Sequence, residues 1–228
     1  MARNLIFQVY YEGHSKPIAD GGYISDKELA QESEKRMKIY ADSINADYFM
    51  LDKPFFKNIK NPGWNRFAMF WLAEYDMYDN VCYVDADVLV SKHALGVNIF
   101  DESGHGKYME QEVDIAGQEN KKTWMINAGV MKFNNYESGK LKRTINSKPY
   151  LKILEETGKN QIAFNKCFKK TFRKSPDSSL NPMWNATRPW HEVDDKVYFK
   201  HYIGRQKLKG QSHWGDMIDH HVYKEDWS

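Results

Sequence analysis

The stretch VCYVDAD, residues 81–87, places four apolar residues directly before two carboxylates. A short apolar run bounded by Asn80 and Asp85 is typical of a central strand in a parallel sheet. In open α/β sheets, ligands bind beyond the carboxyl ends of such strands. Asp85 and Asp87 point to the same side of an extended chain, and two bare carboxylates are too costly for a dry core. A divalent cation resolves this conflict, because it takes oxygen ligands and neutralises both charges.

Upstream of this stretch, the apolar periodicity alternates between strand and helix. It predicts strands over 5–11 and 48–51 and helices over 25–44 and 64–78. The alternation favours an α/β fold with a central, mostly parallel sheet flanked by helices.

The downstream half is less regular. Its patterns predict strands over 88–90, 114–116, 124–133 and 197–203 and helices over 149–157 and 161–172. We find no linker that would divide the chain, so we expect a single domain over 1–228.

Composition excludes several classes of protein. The 33 basic and 31 acidic residues leave a formal charge of +2, which supplies no strong field for nucleic acid. No run reaches the roughly 18 apolar residues of a membrane span, and the N-terminus enters a strand without the apolar region of a signal peptide. Two separated cysteines, Cys82 and Cys167, fit a reducing compartment. We therefore expect a cytoplasmic protein.

Aromatic residues make up 14% of the chain, and this content is consistent with two different roles. Aromatic side chains form flat platforms on which sugars stack, and they also fill cores. Trp184 and Trp190 belong either to an acceptor groove or to the core. The histidines near the end of the chain, His213, His220 and His221, show no clear carboxylate partner in the sequence, so we predict no metal site there.

Two classes of enzyme use an Asp-x-Asp pair after a strand. Phosphatases of the haloacid-dehalogenase type use the first Asp as a nucleophile, whereas GT-A glycosyltransferases use the pair to hold a metal and a nucleotide diphosphate. The phosphatases usually begin with the Asp strand, and they favour Thr or Val where this chain has Leu89. About 80 residues of predicted α/β structure precede Asp85 here, which favours the transferase.

Further segments follow in order along the chain. They are WNRF at 64–67, VCYVDADVLV at 81–90, INAGVMKFN at 126–134 and HYIGRQK at 201–207, with Asn160-Gln161 and Trp184-Asn185 between the last two. Together they resemble the retaining GT-A glycosyltransferases of family 8, the glycogenin-like and bacterial galactosyltransferase group. The resemblance spans residues 64–207. It implies the GT-A fold, a Rossmann-like fold that binds nucleotide-diphosphate sugars.

The resemblance also implies a metal site and a site for the leaving group. Asp85, Asp87 and His201 would ligate Mn²⁺ or Mg²⁺, and mixed carboxylate and imidazole ligation suits manganese. Lys207 would stabilise the departing diphosphate, and Gly204 would let the backbone approach the phosphates.

Other residues would contact the donor or the sugar. Gln161 would lie near the sugar and stabilise a front-face displacement. Tyr10 or Tyr11 would stack on the base, because the Asp that reads the base in the family is missing here. Asn160 stands where the family has Asp. The remaining implied donor contacts are Arg66, Asp85, Ala86, Asn127, Ala128 and Gly129.

The function implied is metal-dependent transfer of a sugar from a nucleotide-diphosphate donor, a UDP-sugar by family habit, to an acceptor hydroxyl with retention. The acceptor would be a glycan, a lipid-linked sugar or a protein. Two alternatives stay open. The chain could be a nucleotide-sugar binding protein that has lost transfer, or a phosphatase with Asp85 as its nucleophile.

Overall fold

A five-stranded sheet forms the centre of the computed structural model, which describes residues 2–11, 26–56, 62–74, 77–115, 118–147, 165, 179–203 and 220–228. The strands of the described chain are β1 (Asn4–Val9), β2 (Asp47–Leu51), β3 (Asn80–Val84), β4 (Val88–Val90), β5 (Gly106–Ile115), β6 (Gln118–Asn134) and β7 (Phe199–His201). The large sheet has the order β2-β1-β3-β6-β5, and β4 pairs with β7 in a separate small sheet.

The direction of the strands confirms the predicted sheet. β1 is parallel to both β2 and β3, while β6 is antiparallel to β3 and β5 is antiparallel to β6. Four of the five strands therefore run the same way, and β6 alone is reversed. The strands predicted over 114–116 and 124–133 are parts of β5 and β6, which form a longer antiparallel hairpin.

Helices lie on both sides of this sheet. They are α1 (Asp26–Ser43), α2 (Met69–Glu74), α3 (Asn135–Ile145) and the single turn α4 (His221–Lys224). The single helix predicted over 64–78 was wrong, because Pro62–Ala68 is a 3₁₀ helix that precedes the short α2. Arg66 Nε donates to the Gly63 carbonyl three residues back, and such local hydrogen bonds compete with the α-helical pattern.

The core consists of layers on the two faces of the sheet. Alternate residues of β1 and β3 point to opposite faces, as the strand period requires. Leu5, Phe7 and Tyr83 pack with the 3₁₀ segment, α2 and α3. Ile6 and Cys82 pack on the other face with α1 and Trp184, which is fully buried and so belongs to the core.

Part of the predicted structure lies outside the described residues. The helices predicted over 149–157 and 161–172 fall there, apart from Asn165. Among the helices that are described, none has the length and the apolar character needed to cross a bilayer.

Candidate metal centre

The turn between β3 and β4 places the acidic pair beside β7. The Val88 amide donates to the Asp85 carbonyl at 3.2 Å, and β4 then runs antiparallel to β7 with Val88 opposite His201. The His201 Nε2 atom lies 3.3 Å from Asp87 Oδ1 and 3.9 Å from Asp85 Oδ2. One ligating atom from each of these three residues lies within 4.8 Å of the others. Folding thus brings together the three residues that were predicted as metal ligands.

The donor set fits a divalent cation of the manganese or magnesium type. Two carboxylates supply oxygen ligands and two negative charges, and His201 supplies a nitrogen. The imidazole of His201 is buried, whereas the carboxylates of Asp85 and Asp87 are 21% and 26% exposed. The cluster is therefore open on the carboxylate side, which leaves space for oxygen ligands from another molecule.

The two oxygens of Asp85 have different partners. The Tyr83 hydroxyl donates to Oδ1, and the Arg66 guanidinium lies 3.4 Å from the same atom. Burial, and next the charge of Asp85, raise the pKa of Tyr83 well above its usual value, so the phenol stays protonated and keeps donating. Oδ2 faces His201. Asp85 is thereby held in one orientation with one oxygen directed to the cluster.

Arg66 lies at the junction of three elements. Its Nη1 donates to the Ala128 carbonyl at 2.8 Å, and its guanidinium carbon lies 5.1 Å from the centre of the Tyr83 ring. These contacts orient the guanidinium beside Asp85. A forked contact of Arg66 with the donor, as predicted from the sequence, stays a prediction.

The Asn127-Ala128-Gly129 segment of β6 forms the floor of the site. The Asp85 amide donates to the Gly129 carbonyl at 2.7 Å, so β6 continues its pairing with the chain just past β3. A Cβ added at Gly129 would lie 2.5 Å from His201 Nδ1 and 3.0 Å from Asn127 Oδ1. No side chain fits between them. Glycine is needed at position 129 because the imidazole rests directly on this backbone.

Asn127 and Asn185 connect this floor to His201. The Gly129 amide donates to Asn127 Oδ1 at 2.9 Å, and Asn185 Nδ2 donates to the same oxygen at 3.0 Å. Asn185 Oδ1 lies 2.9 Å from His201 Nδ1. The sequence singled out Asn185 only as part of a matching segment and assigned it no role. Asn127 was predicted to contact the donor sugar, and that role stays a prediction.

Lys107 holds the backbone of Asn185 by a buried hydrogen bond. Its ammonium donates to the Asn185 carbonyl at 2.6 Å and to Thr187 Oγ1 at 3.1 Å, and it lies 3.2 Å from His191 Nδ1. Burial, with the nearby charges of Arg188 and Lys200, lowers the pKa of Lys107 to about 7. Neither Lys107 nor Tyr83 was predicted as part of the site. Tyr83 lies inside an apolar strand pattern and Lys107 outside any predicted element, and neither position shows in the sequence which partner it will meet.

A second cluster of metal-ligating types contains Glu192, His220 and His221. Its carboxylate already accepts from Lys200 Nζ at 2.5 Å and from His220 Nε2 at 3.0 Å. His220 Nδ1 accepts the Val222 amide at 3.2 Å, so in the neutral ring the hydrogen is on Nε2 and no lone pair faces Glu192. The cluster is an ion-pair network. The sequence showed no carboxylate partner for His220 and His221, but the fold supplies Glu192, and the absence of a metal there stays a prediction.

The remaining predicted site residues divide into two groups. Tyr10 follows β1 at its carboxyl end, where its amide donates to the Leu51 carbonyl, and Ala86 lies in the turn between the two aspartates. The predicted residues Asn160, Gln161, Gly204 and Lys207 lie outside the described residues. Their roles stay predictions.

No model of a known protein family and no curated protein matches the sequence. The structure is similar to a glycosyltransferase involved in glycosylation of the major capsid of PBCV-1, with a TM-score of 0.52, 13% identity, and coverage of 89% of this chain and 93% of that one.

A second similar structure is the glycosyltransferase GlyE of Streptococcus pneumoniae TIGR4. The TM-score is 0.52 and the identity 16%, and the match covers all of this chain and 61% of GlyE. At these identities the likeness shows the fold. The predicted α/β fold of the GT-A type is confirmed.

Proposed function

We propose that this chain is a metal-dependent glycosyltransferase that takes a sugar from a nucleotide-diphosphate donor. The observation that carries the proposal is the convergence of Asp85 and Asp87, in the turn after β3, with His201 of β7. The fold adds support, because the similar solved structures are glycosyltransferases. A metal bound there would act as a Lewis acid on the departing diphosphate.

The residues of the chain have distinct tasks in this reaction. Asp85 and Asp87 hold the metal, with Asp85 oriented by Tyr83 and Arg66. His201 completes the ligand set from β7. Arg66 adds a positive charge beside the carboxylates, which favours the negative diphosphate. In the segments beyond the described residues, we assign Lys207 to the leaving diphosphate and Gln161 to the sugar, from the family resemblance.

The donor, acceptor and stereochemistry belong to the same proposal. The family resemblance supports a UDP-sugar, a glycan, lipid-linked or protein acceptor, and attack of the acceptor hydroxyl on the same face that the diphosphate leaves, with retention at the anomeric carbon. The binding-only alternative and the phosphatase alternative predict different products.

The test is release of nucleoside diphosphate from a panel of nucleotide sugars, with and without Mn²⁺, in the presence of simple sugar acceptors. We expect one donor to be consumed only with Mn²⁺. Asp87→Asn should lower the rate by about 100-fold or more, the scale of a lost electrostatic contact to developing charge. Asp42→Asn, an exposed carboxylate on α1, is the matched control and should leave the rate unchanged.

Three results would contradict the proposal. Donor binding without release or transfer would favour a binding protein. A phosphoenzyme trapped on Asp85 would favour the phosphatase. Turnover that does not depend on Mn²⁺ and survives Asp87→Asn would exclude the metal-dependent mechanism.

A further inference from the structure

The hydrogen bonds that run from β6 to His201 have a defined direction. Their starting point is the Gly129 amide, which can only donate, and its partner at 2.9 Å is therefore the carbonyl oxygen of the Asn127 side chain. That oxygen lies 3.0 Å from the side chain of Asn185. An oxygen accepts and cannot donate, so Asn185 presents its NH₂ group to it. A backbone atom thus determines the orientation of two side-chain amides in turn.

The orientation of Asn185 then determines the tautomer of His201. With its NH₂ group directed to Asn127, Asn185 presents Oδ1 to His201 Nδ1 at 2.9 Å. The nitrogen must donate to this oxygen, so Nδ1 carries the hydrogen. In the neutral imidazole the lone pair is then on Nε2, the atom that faces Asp87 Oδ1 at 3.3 Å.

We infer that Asn185 is a positioning residue for the metal centre: it holds His201 in the Nδ1–H tautomer and presents the Nε2 lone pair to the metal. Asn127, oriented by the Gly129 amide, is the residue that orients Asn185. The inference rests on the proposed function, since it concerns affinity for the metal that the glycosyltransferase would use. Partners that donate or accept at the second nitrogen of a ligating histidine commonly determine its tautomer.

Burial makes this arrangement rigid. Asn185 is fully buried, and Asn127 and His201 are 6% and 4% exposed. Water therefore has little access to replace a lost partner. The backbone of Asn185 is held at the same time by Lys107, which donates to its carbonyl. Gly129 closes the other side of the imidazole.

His220 provides a contrast within the same chain. Its Nδ1 accepts the Val222 amide, so the hydrogen of its neutral ring is on Nε2 and is donated to Glu192. The two histidines have opposite tautomers because their Nδ1 atoms face opposite partners. Of these two histidines, His201 is the one whose lone pair is directed to a pair of carboxylates.

The first experiment measures the tautomer in the metal-free protein. Two-bond ¹⁵N–¹H correlation spectra of the histidine rings, recorded where the imidazoles are neutral, distinguish the two tautomers, and His201→Gln identifies the signals of His201. We expect the Nδ1–H form in the unmodified chain and the Nε2–H form in Asn185→Leu, which keeps the size and removes both hydrogen bonds. An unchanged Nδ1–H signal in Asn185→Leu would overturn the inference.

The second experiment measures Mn²⁺ affinity by calorimetry, without donor or acceptor. Asn185→Leu should bind Mn²⁺ about 10–100-fold more weakly, the range for loss of an outer partner of a ligand. Asn185→Asp keeps an oxygen for Nδ1 and should retain more affinity than the Leu variant. Tyr40→Phe keeps the ring and loses the buried hydrogen bonds of its hydroxyl to Val97 and Ile99, so it controls for general loss of stability.

The two experiments separate the inference from the proposed function. If the unmodified chain binds no Mn²⁺, the metal-dependent function is wrong, and the ring spectra still decide whether Asn185 determines the tautomer. If Mn²⁺ binds and Asn185→Leu binds it equally well, the positioning role is wrong while the metal centre stands.

Discussion

At the scale of single residues, the site depends on the absence of a side chain at position 129. Gly129 has no Cβ, and this lets the imidazole of His201 lie against the backbone of β6. The predicted ligand His201 of β7 and the floor from β6 can therefore approach each other. A glycine between apolar residues gives no sign in the sequence of which ring it will meet.

We expect Gly129→Ala to displace His201 and to abolish Mn²⁺ binding, because the added Cβ would overlap the imidazole. Calorimetric titration with Mn²⁺ measures this directly. Gly96→Ala is the matched control. Its backbone φ of 76° makes alanine unfavourable by about 1–2 kcal/mol, yet no atom lies within 4 Å of the new Cβ. Unchanged Mn²⁺ affinity in Gly129→Ala would show that His201 is not a ligand.

At the scale of elements, β7 is tied to the segment that precedes it and to α4. The buried Lys200 in β7 pairs with Glu192, and the same carboxylate accepts from His220 at the start of α4. Burial alone would raise the pKa of Glu192, but the hydrogen bonds from His220 and Lys200 and their charges outweigh it and lower the pKa to about 2. The network holds the strand that carries His201.

This network predicts a pH dependence. The folded carboxyl of Glu192 has a pKa of about 2 against 4.5 for the ordinary group, so between these values the unfolded chain binds more protons. Its stabilisation is complete above pH 4.5 and is lost as the pH falls toward 2. Glu192→Gln should lower the free energy of unfolding at neutral pH by roughly 2 kcal/mol, allowing for solvent screening of the pair.

Denaturant unfolding of both proteins across this pH range checks the prediction. The difference in unfolding free energy between the unmodified chain and Glu192→Gln should shrink as the pH falls. Glu34→Gln removes an exposed ion pair with Lys38 and should cost only about 0.3–0.5 kcal/mol at neutral pH. A constant difference for Glu192→Gln from pH 5 to pH 2 would show that the carboxylate charge does not stabilise this network.

At the scale of the whole molecule, the proposed metal centre joins segments from both halves of the chain. Asp85 and Asp87 follow a strand of the large sheet, whereas His201 comes from the small sheet. Without a cation, the carboxylates of Asp85 and Asp87 repel each other. A ligand that binds only when these segments are assembled stabilises the entire fold by mass action.

We expect Mn²⁺ alone to raise the thermal unfolding midpoint and a chelator to reverse the shift. At 100 times the dissociation constant, the gain is about 2.7 kcal/mol. The shift should vanish in Asp87→Asn and persist in His220→Gln, measured by scanning fluorimetry. The reverse pattern, with the shift lost only in His220→Gln, would place the metal at the Glu192 cluster.

The apolar patterns of the sequence located most strands of the sheet, and the errors in the predicted helices have physical causes. β1, β2 and β3 were found within a residue or two because each contains a continuous apolar run, although β2 at the sheet edge is only partly buried. The helix α3 was missed, although Asn134 and Glu137 form a capping box that its sequence could have indicated. The prediction of one helix over 64–78 was wrong because side chains in its first turns bond to backbone groups, and these bonds favour a 3₁₀ helix. Arg66 donates to the Gly63 carbonyl, and Asn65 accepts from the Phe55 amide.

Residue types and their order along the chain were enough to identify the acidic pair after β3 and the GT-A fold, and to predict that His201 joins that pair, which it does in the structure. These features are local, since an apolar run, two carboxylates and a motif can be read from neighbouring residues. Which amide faces His201 depends on Asn127 and Asn185, which are 58 positions apart. The direction of their hydrogen bonds, and hence the tautomer of the imidazole, follows only from the polar groups that folding buries together, because a buried donor must find an acceptor where water cannot reach.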